Sequence, residues 1–281
     1  RAIAAECLQE YVWRLFIDLP QLLGEAARPG DLADLRRRMP AAAGEAEWLD
    51  IAEDAEALLE QRVFGMRARD WLALDAARRA RWVDDAALPA ARMLARLRTC
   101  RVDPPRDFLP WLDAEALRTE IAPALDASPA FVAKPAWRGR PAETGALARQ
   151  RLQPHIAREL ELNGLSARLL ARLTELAALP AQLRRPLAQG VRSISAGAGI
   201  GIAAVETARG TLIHRAALDG ERVAHYRIVA PTEWNFHPRG AFPRGLAGLP
   251  ARNEGEVRQA AALLAHALDP CVAYETRIVD A

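Results

Sequence analysis

Apolar residues recur at three- and four-residue steps along most of this chain and alternate only between residues 191 and 230. A period near 3.6 buries one face of a helix, while a period of two buries one face of a strand. The chain is therefore expected to be α+β, mainly α-helical, with one small antiparallel sheet or hairpin near residues 191–230.

Ala4, Leu8, Tyr11, Val12, Leu15 and Leu19 predict a helix from residue 3 to about 24, closed by Pro20 and Gly24. More amphipathic helix is expected over 45–65 and 70–100, where Asp50, Asp54 and Glu56 form a solvated face. Seven prolines between Pro104 and Pro141 punctuate 101–142 and exclude one long helix there. Helical spacing returns over 143–185, with Gly164 between two helices. Ile200, Ile202 and Ala204 then alternate, and Arg209-Gly210 and Asp219-Gly220 mark turns; Val223, His225, Ile228 and Val229 lie on the returning strand. A Pro- and Gly-rich loop over 236–250 precedes a helix from about Asn253 to Ala267, with Asn253 and Glu256 at the spacing of a capping box. At roughly 150 residues per domain the length allows two domains. No repeat or low-complexity linker divides the chain, so it reads as a single unit over 1–281. That unit is helical over 1–100, loop-rich over 101–142, helical over 143–185 and β over 191–230, with a loop and C-terminal helix over 231–281. Because Arg1 already lies inside a helical pattern, a native N-terminal stretch is expected before it.

Composition removes several classes of function. An apolar fraction of 51%, a charged fraction of 26% and a net charge of +2 exclude disorder and a polyelectrolyte tail. No run approaches the roughly 18 apolar residues of a membrane span. Lys134 is the only lysine, and the arginines are scattered among acids instead of forming a phosphate-tracking stripe. Neither nucleic acid nor membrane is expected as a partner. Cys7, Cys100 and Cys271 are distant and odd in number, which argues against a disulfide framework and for a reducing, cytoplasmic compartment. Cys7 and Cys100 read as packing thiols. Gly197, Gly199 and Gly201 lead into a β-like segment, not a helix, so they read as sites of close backbone approach and not as a dinucleotide fingerprint. The five histidines have no metal-ligand spacing, and no nucleophile elbow supports a Ser–His–Asp system.

Several short strings remain: Lys134-Pro135-Ala136-Trp137; Glu143-Thr144-Gly145 running to Arg149; Glu206-Thr207-Ala208-Arg209-Gly210 with His214 downstream; Pro231-Thr232-x-Trp234-Asn235; and Asp269-Pro270-Cys271. In this order they resemble the C-terminal half of the large subunit of nickel–iron hydrogenases, over about residues 131–281. In that family a terminal Asp-Pro-Cys-x-x-Cys-x-x-His supplies two of the cysteines that hold nickel and iron. Here Cys271 matches the first cysteine, Tyr274 stands at the second and Arg277 at the histidine, while Ala208 replaces the proline before Arg209. A phenol is a poor substitute for a bridging thiolate. The pattern looks like the degenerate HupK/HoxV-type accessory paralogues of the large subunit.

What the resemblance implies is a scaffold with no catalytic residues, carrying the Fe(CN)2(CO) fragment during hydrogenase maturation, with no nickel expected. By the same resemblance Cys271 would be the metal ligand, Arg209 the cyanide-facing cation, and Thr232 with backbone groups near Pro231 the donors to the other cyanide. Such a group needs a thiolate, a fixed cation and hydrogen-bond donors in a water-poor pocket. The implied partners are a HypC-type chaperone, a HypD-type protein and the hydrogenase large-subunit precursor. Glu143 and Arg149 read as structural, as an ion pair. The alternatives are a divergent catalytic large subunit and a metal-free paralogue that only binds partners.

Overall fold

Helical spacing becomes helix wherever no capping residue or proline interrupts it. The computed structural model describes the chain except for residues 23, 25, 31–32, 34–36, 40–43, 186–190, 248, 250–251, 273 and 280–281. The described residues group into two compact units, Arg1–Cys100 with Gln150–Leu187, and Arg101–Arg149 with Ala188–Ala281.

The first unit is all-helical, built around the Gly164–Arg184 helix, which is buried on nearly every side and packs against the Ala2–Trp13, Glu45–Leu59 and Pro154–Leu162 helices. Leu165, Leu169, Leu170, Leu173 and Leu176 supply its apolar burial. Buried polar groups on it such as Arg168 and Thr174 are hydrogen-bonded, donating to Gly164 O at 2.7 Å and to Leu170 O at 2.9 Å. The expected break at Gly164 is a cap by its neighbour: Asn163 Oδ1 accepts from the N–H groups of Leu165 and Ser166 at 2.9 and 3.0 Å. Ser166 and Arg98 converge on Glu159, which takes both arms of the guanidinium at 2.9 and 2.7 Å. Burial pushes the Glu159 carboxyl up, but the bonds from Arg98 and Ser166 outweigh it and hold the group below its ordinary value.

Two expectations in this unit are corrected. The first helix runs Ala2–Trp13 and continues through a π turn, Arg14–Asp18, into Leu19–Leu22, so Pro20 lies inside the helical run and does not close it. Proline is tolerated near the start of a helical segment, where its missing N–H costs little. The 70–100 stretch is not continuous. Ala68–Leu72, Ala76–Asp85 and Pro89–Arg98 are separate helices, because Asp75 caps one start by accepting from Arg78 N–H at 2.8 Å and Pro89 opens the next.

The second unit holds a four-stranded antiparallel sheet in sequential order, β1 (Val191–Gly197), β2 (Ile200–Thr207), β3 (Gly210–Asp219) and β4 (Arg222–Val229). The alternation at Ile200, Ile202 and Ala204 is the inward face of β2, and Gly197 and Gly199 fall in its tight turn with β1. A Cβ on Gly199 would stand 3.1 Å from Leu218 O, the close approach expected of these glycines. Inward-facing Ile194, Ile202, Ile213 and Val229 form one core with Leu109, Leu112, Leu117, Ile121, Leu125 and Trp234. Residues 101–142 are mostly loop, with one helical run over 114–127 in which a π turn at Leu117–Ile121 precedes Pro123. The C-terminal helix is Glu254–Leu268, and Asn253 caps it by accepting from Glu256 N–H at 3.0 Å. The reciprocal arm of the expected capping box goes one residue further back, to Arg252 N–H at 2.9 Å.

Candidate functional site

Four candidate residues from the sequence lie in the second unit, on three segments far apart along the chain. Arg209 occupies the β2–β3 turn, closed by Thr207 Oγ1 donating to Gly210 O at 2.9 Å. Gly210 has φ +135, and a Cβ there would sit 2.4 Å from Thr144 Cγ2, so only glycine fits. Gly145, with φ +119, faces Arg209 O in the same way. The Glu143-Thr144-Gly145 string is thus the bed on which the Arg209 turn rests. Thr211 N–H donates to Thr144 Oγ1 at 3.0 Å, and the Thr211 hydroxyl donates to Glu206 at 2.9 Å. That leaves the Thr144 hydroxyl to donate to Thr211 Oγ1 across their 3.1 Å contact. Glu206 also accepts from Arg149 at 3.0 Å and Arg192 at 2.6 Å, and Arg192 lies over the Trp111 ring at 3.7 Å. A buried carboxylate with three donors is well satisfied, and the turn it anchors is correspondingly fixed.

The Arg209 side chain is 15% exposed, and its Nε lies 4.0 Å from Oδ1 of Asp269, itself 6% exposed. Asp269 follows the Glu254–Leu268 helix in the left-handed conformation, φ 56, which turns the chain away from the helix axis. Two residues on, Cys271 N–H donates to Thr232 Oγ1 at 3.3 Å. The structure therefore sets Thr232 beside Cys271 and Arg209 beside the aspartate just before it. A hydroxyl that accepts one bond still has its own proton to give.

Pro231 is buried at the first position of the Pro231–Asn235 helical turn and has no N–H to offer. Of the backbone donors expected beside it, Glu233 N–H is engaged with Ala230 O at 3.1 Å. The expected water-poor enclosure is corrected for the thiol: Arg209 and Thr232 are largely buried, but Cys271, where the chain bends just past the helix end, is exposed. Among the described residues no three His, Cys, Asp or Glu side chains gather to hold a metal ion by themselves. Cys7 is a buried thiol, and burial pushes the half-buried Cys100 thiol up from its ordinary value.

His237 follows the same helical turn. Burial, then the charges of Arg239 and Lys134, hold its imidazole below the ordinary 6.5. Its Nδ1 accepts from Arg239 N–H at 3.0 Å, a bond only the neutral ring can make. Sequence reasoning assigned no role to Asn235, Asp269 or Glu206, although all three stand in the strings that carried the resemblance. A polar residue inside an otherwise buried string was the available signal.

Residues 151–276 match the nickel-dependent hydrogenase family. The chain is 30% identical to the hydrogenase expression/formation protein HoxV of Cupriavidus necator, over 100% of this chain and 77% of that protein. It is 45% identical to the hydrogenase expression/formation protein HupK of Azotobacter vinelandii over 34% of this chain, a match that takes in 27% of that relative's length. The chain belongs to this family of hydrogenase expression/formation proteins. The Ni-Fe-Se hydrogenase of D. vulgaris Hildenborough aligns over 49% of this chain and 36% of its own, at 22% identity and a TM-score of 0.38. Among the described residues no helix is long and apolar enough to cross a membrane.

Proposed function

We propose that the protein is a non-enzymatic cytoplasmic scaffold that holds the Fe(CN)2(CO) group while a nickel–iron hydrogenase is assembled. The family supplies the process, hydrogenase expression and formation. The observation that supports the finer step is the 3.3 Å bond from Cys271 N–H to Thr232 Oγ1, which ties the backbone of the cysteine to the hydroxyl-bearing turn. Arg209 adds a permanent charge next to the neighbouring Asp269.

An iron that arrives with two cyanides and a carbonyl brings three ligands of its own, so it asks less of the chain than a bare ion would, and among the described residues no larger donor cluster gathers. The Cys271 thiolate takes the iron, while the Arg209 guanidinium and the Thr232 hydroxyl take cyanide nitrogens. Charge-assisted bonds of this kind contribute about 1.5–3 kcal/mol each, enough to orient a cargo and still release it. An exposed thiol at the end of the site suits hand-over to another protein's thiolate. Tyr274 at the place of a second thiolate leaves no matching nickel site. The partners that fit are a HypC-type chaperone and a HypD-type protein as donors and the large-subunit precursor as recipient.

The test is infrared spectroscopy with metal analysis on protein purified from cells making the hydrogenase. Carbonyl and cyanide stretching bands with iron and no nickel, lost in Cys271→Ser, are expected. Nickel with hydrogen uptake would make it an enzyme instead, and a spectrum without bands would make it a metal-free partner-binding protein.

A further inference from the structure

Asn235 is 2% exposed, and its amide reaches three separate segments of the chain. Its Oδ1 accepts from Thr144 N–H at 2.8 Å, and its Nδ2 donates to Arg209 O at 3.3 Å and Leu268 O at 3.2 Å. The orientation of the amide is fixed by its partners, since an N–H must face the oxygen and two carbonyls must face the nitrogen. Both donors are spent on backbone, so Asn235 has none left for a cargo.

Two of these segments, together with the one that bears Asn235 itself, carry the proposed site. Arg209 O belongs to the turn that presents the guanidinium. Leu268 O is the last carbonyl of the Glu254–Leu268 helix, immediately before Asp269-Pro270-Cys271. A carbonyl at a helix C-terminus has no partner within the helix, and here Asn235 supplies it. Asn235 itself ends the helical turn that begins with Pro231 and Thr232. Thr144, on the fourth side, is wedged against Gly210 and bonded to Thr211. One side chain thus ties the arginine turn to the cysteine-bearing segment across sequence separations of 26 and 33 residues.

We infer that Asn235 is the positioning residue of this site: it fixes the distance and angle between the Arg209 guanidinium and the Cys271 thiol without touching what they hold. The inference rests on the proposed function for what is held, but the clamp itself does not require a cargo. Asn235→Asp separates the two arms. The carboxylate keeps an oxygen for Thr144 N–H and turns a second oxygen, in place of a donor, toward the carbonyls of Arg209 and Leu268. Asn235→Ala removes both arms.

The experiment pairs two readouts on the full chain, with circular dichroism to confirm that each variant is folded. Amide hydrogen exchange, read without cargo, should be about tenfold faster at Gly210, Thr211, Asp269 and Cys271 in both variants, the effect of losing one net hydrogen bond. Thr144 N–H should stay protected in Asn235→Asp and open in Asn235→Ala. In cargo-loaded protein both variants should keep iron and the carbonyl band, while the cyanide bands shift and broaden because the donor no longer has one fixed place. A folded variant with wild-type exchange at those amides and wild-type cyanide bands would overturn the inference. Wild-type protein without any bands would overturn the proposed function alone, and the exchange pattern would then decide the clamp. Should Asn235→Ala not fold, Asn235→Asp carries the same comparison.

Discussion

Arg209 and Cys271 are the two sides of the proposed site, and their surroundings differ in kind. Around Arg209, Gly210 is pressed against Thr144, Glu206 holds three donors, and Asn235 bonds the turn from below. Around Cys271 the described residues form neither helix nor strand, with Val272, Tyr274 and Val279 exposed. The ties there include Cys271 N–H to Thr232 Oγ1 at 3.3 Å, the Tyr274 hydroxyl to Ala262 O at 3.5 Å, Arg258 to Thr276 O at 2.8 Å and an exposed Arg277–Glu275 pair, a kind of pair that stabilises little. A charge that must orient a small ligand gains from a rigid, half-dry setting, where its bonds are not remade by water. A thiol that must accept and surrender a metal gains from access. The division of labour proposed for the site follows from that contrast.

If the arginine side is rigid because it is packed, breaking the packing should cost most. Trp234 is 1% exposed and meets Phe131 edge-on at 6.0 Å. Trp234→Ala should lower the unfolding free energy by about 3–5 kcal/mol in denaturant titration. Gly210→Ala forces a side chain into Thr144 and a strained backbone, and should cost about 2–4 kcal/mol by the same titration. A loss below 1 kcal/mol in either would mean that the turn is looser than described.

Acid should also act on the packed side. Above about 6.5 His237 is neutral folded and unfolded. Below that the unfolded chain takes up a proton that the folded ring resists, so stability falls as the pH drops. His237→Gln should flatten part of that slope between pH 7 and 5; an unchanged slope would remove His237 from the account. His155, in the other unit, is pushed down to about 4 by burial and then by the Arg79 charge, and contributes a slope of the same sign. The smallest effect belongs to the tail: Tyr274→Ala should change the unfolding free energy by no more than about 0.5 kcal/mol.

The helices and the sheet were legible because their periods are local. Ile200, Ile202 and Ala204 announced an inward face, and Asn253 announced a helix start. The π turns were hidden, since one extra residue in a turn leaves the apolar spacing nearly intact. Asp75 and Pro89 could have divided 70–100, but the run of Ala, Leu and Arg around them masked two short breaks. In the site, Arg209, Thr232 and Cys271 could be named through resemblance, but how they are held could not. The Thr144–Thr211 contact spans 67 residues and the Asn235–Leu268 bond 33, and no local pattern encodes either. The exposure of Cys271 was equally hidden, because it depends on which way the chain leaves the helix at Asp269.

The contrast between the two sides is tested most directly by comparing Cys271→Ser with Arg209→Leu in protein isolated under loading conditions, by infrared spectra and iron content. Cys271→Ser should lose iron together with the carbonyl and cyanide bands, whereas Arg209→Leu should retain iron and the carbonyl band but shift the cyanide bands. Bands that survive unchanged in Cys271→Ser, or an Arg209→Leu spectrum identical to the wild type, would contradict the account.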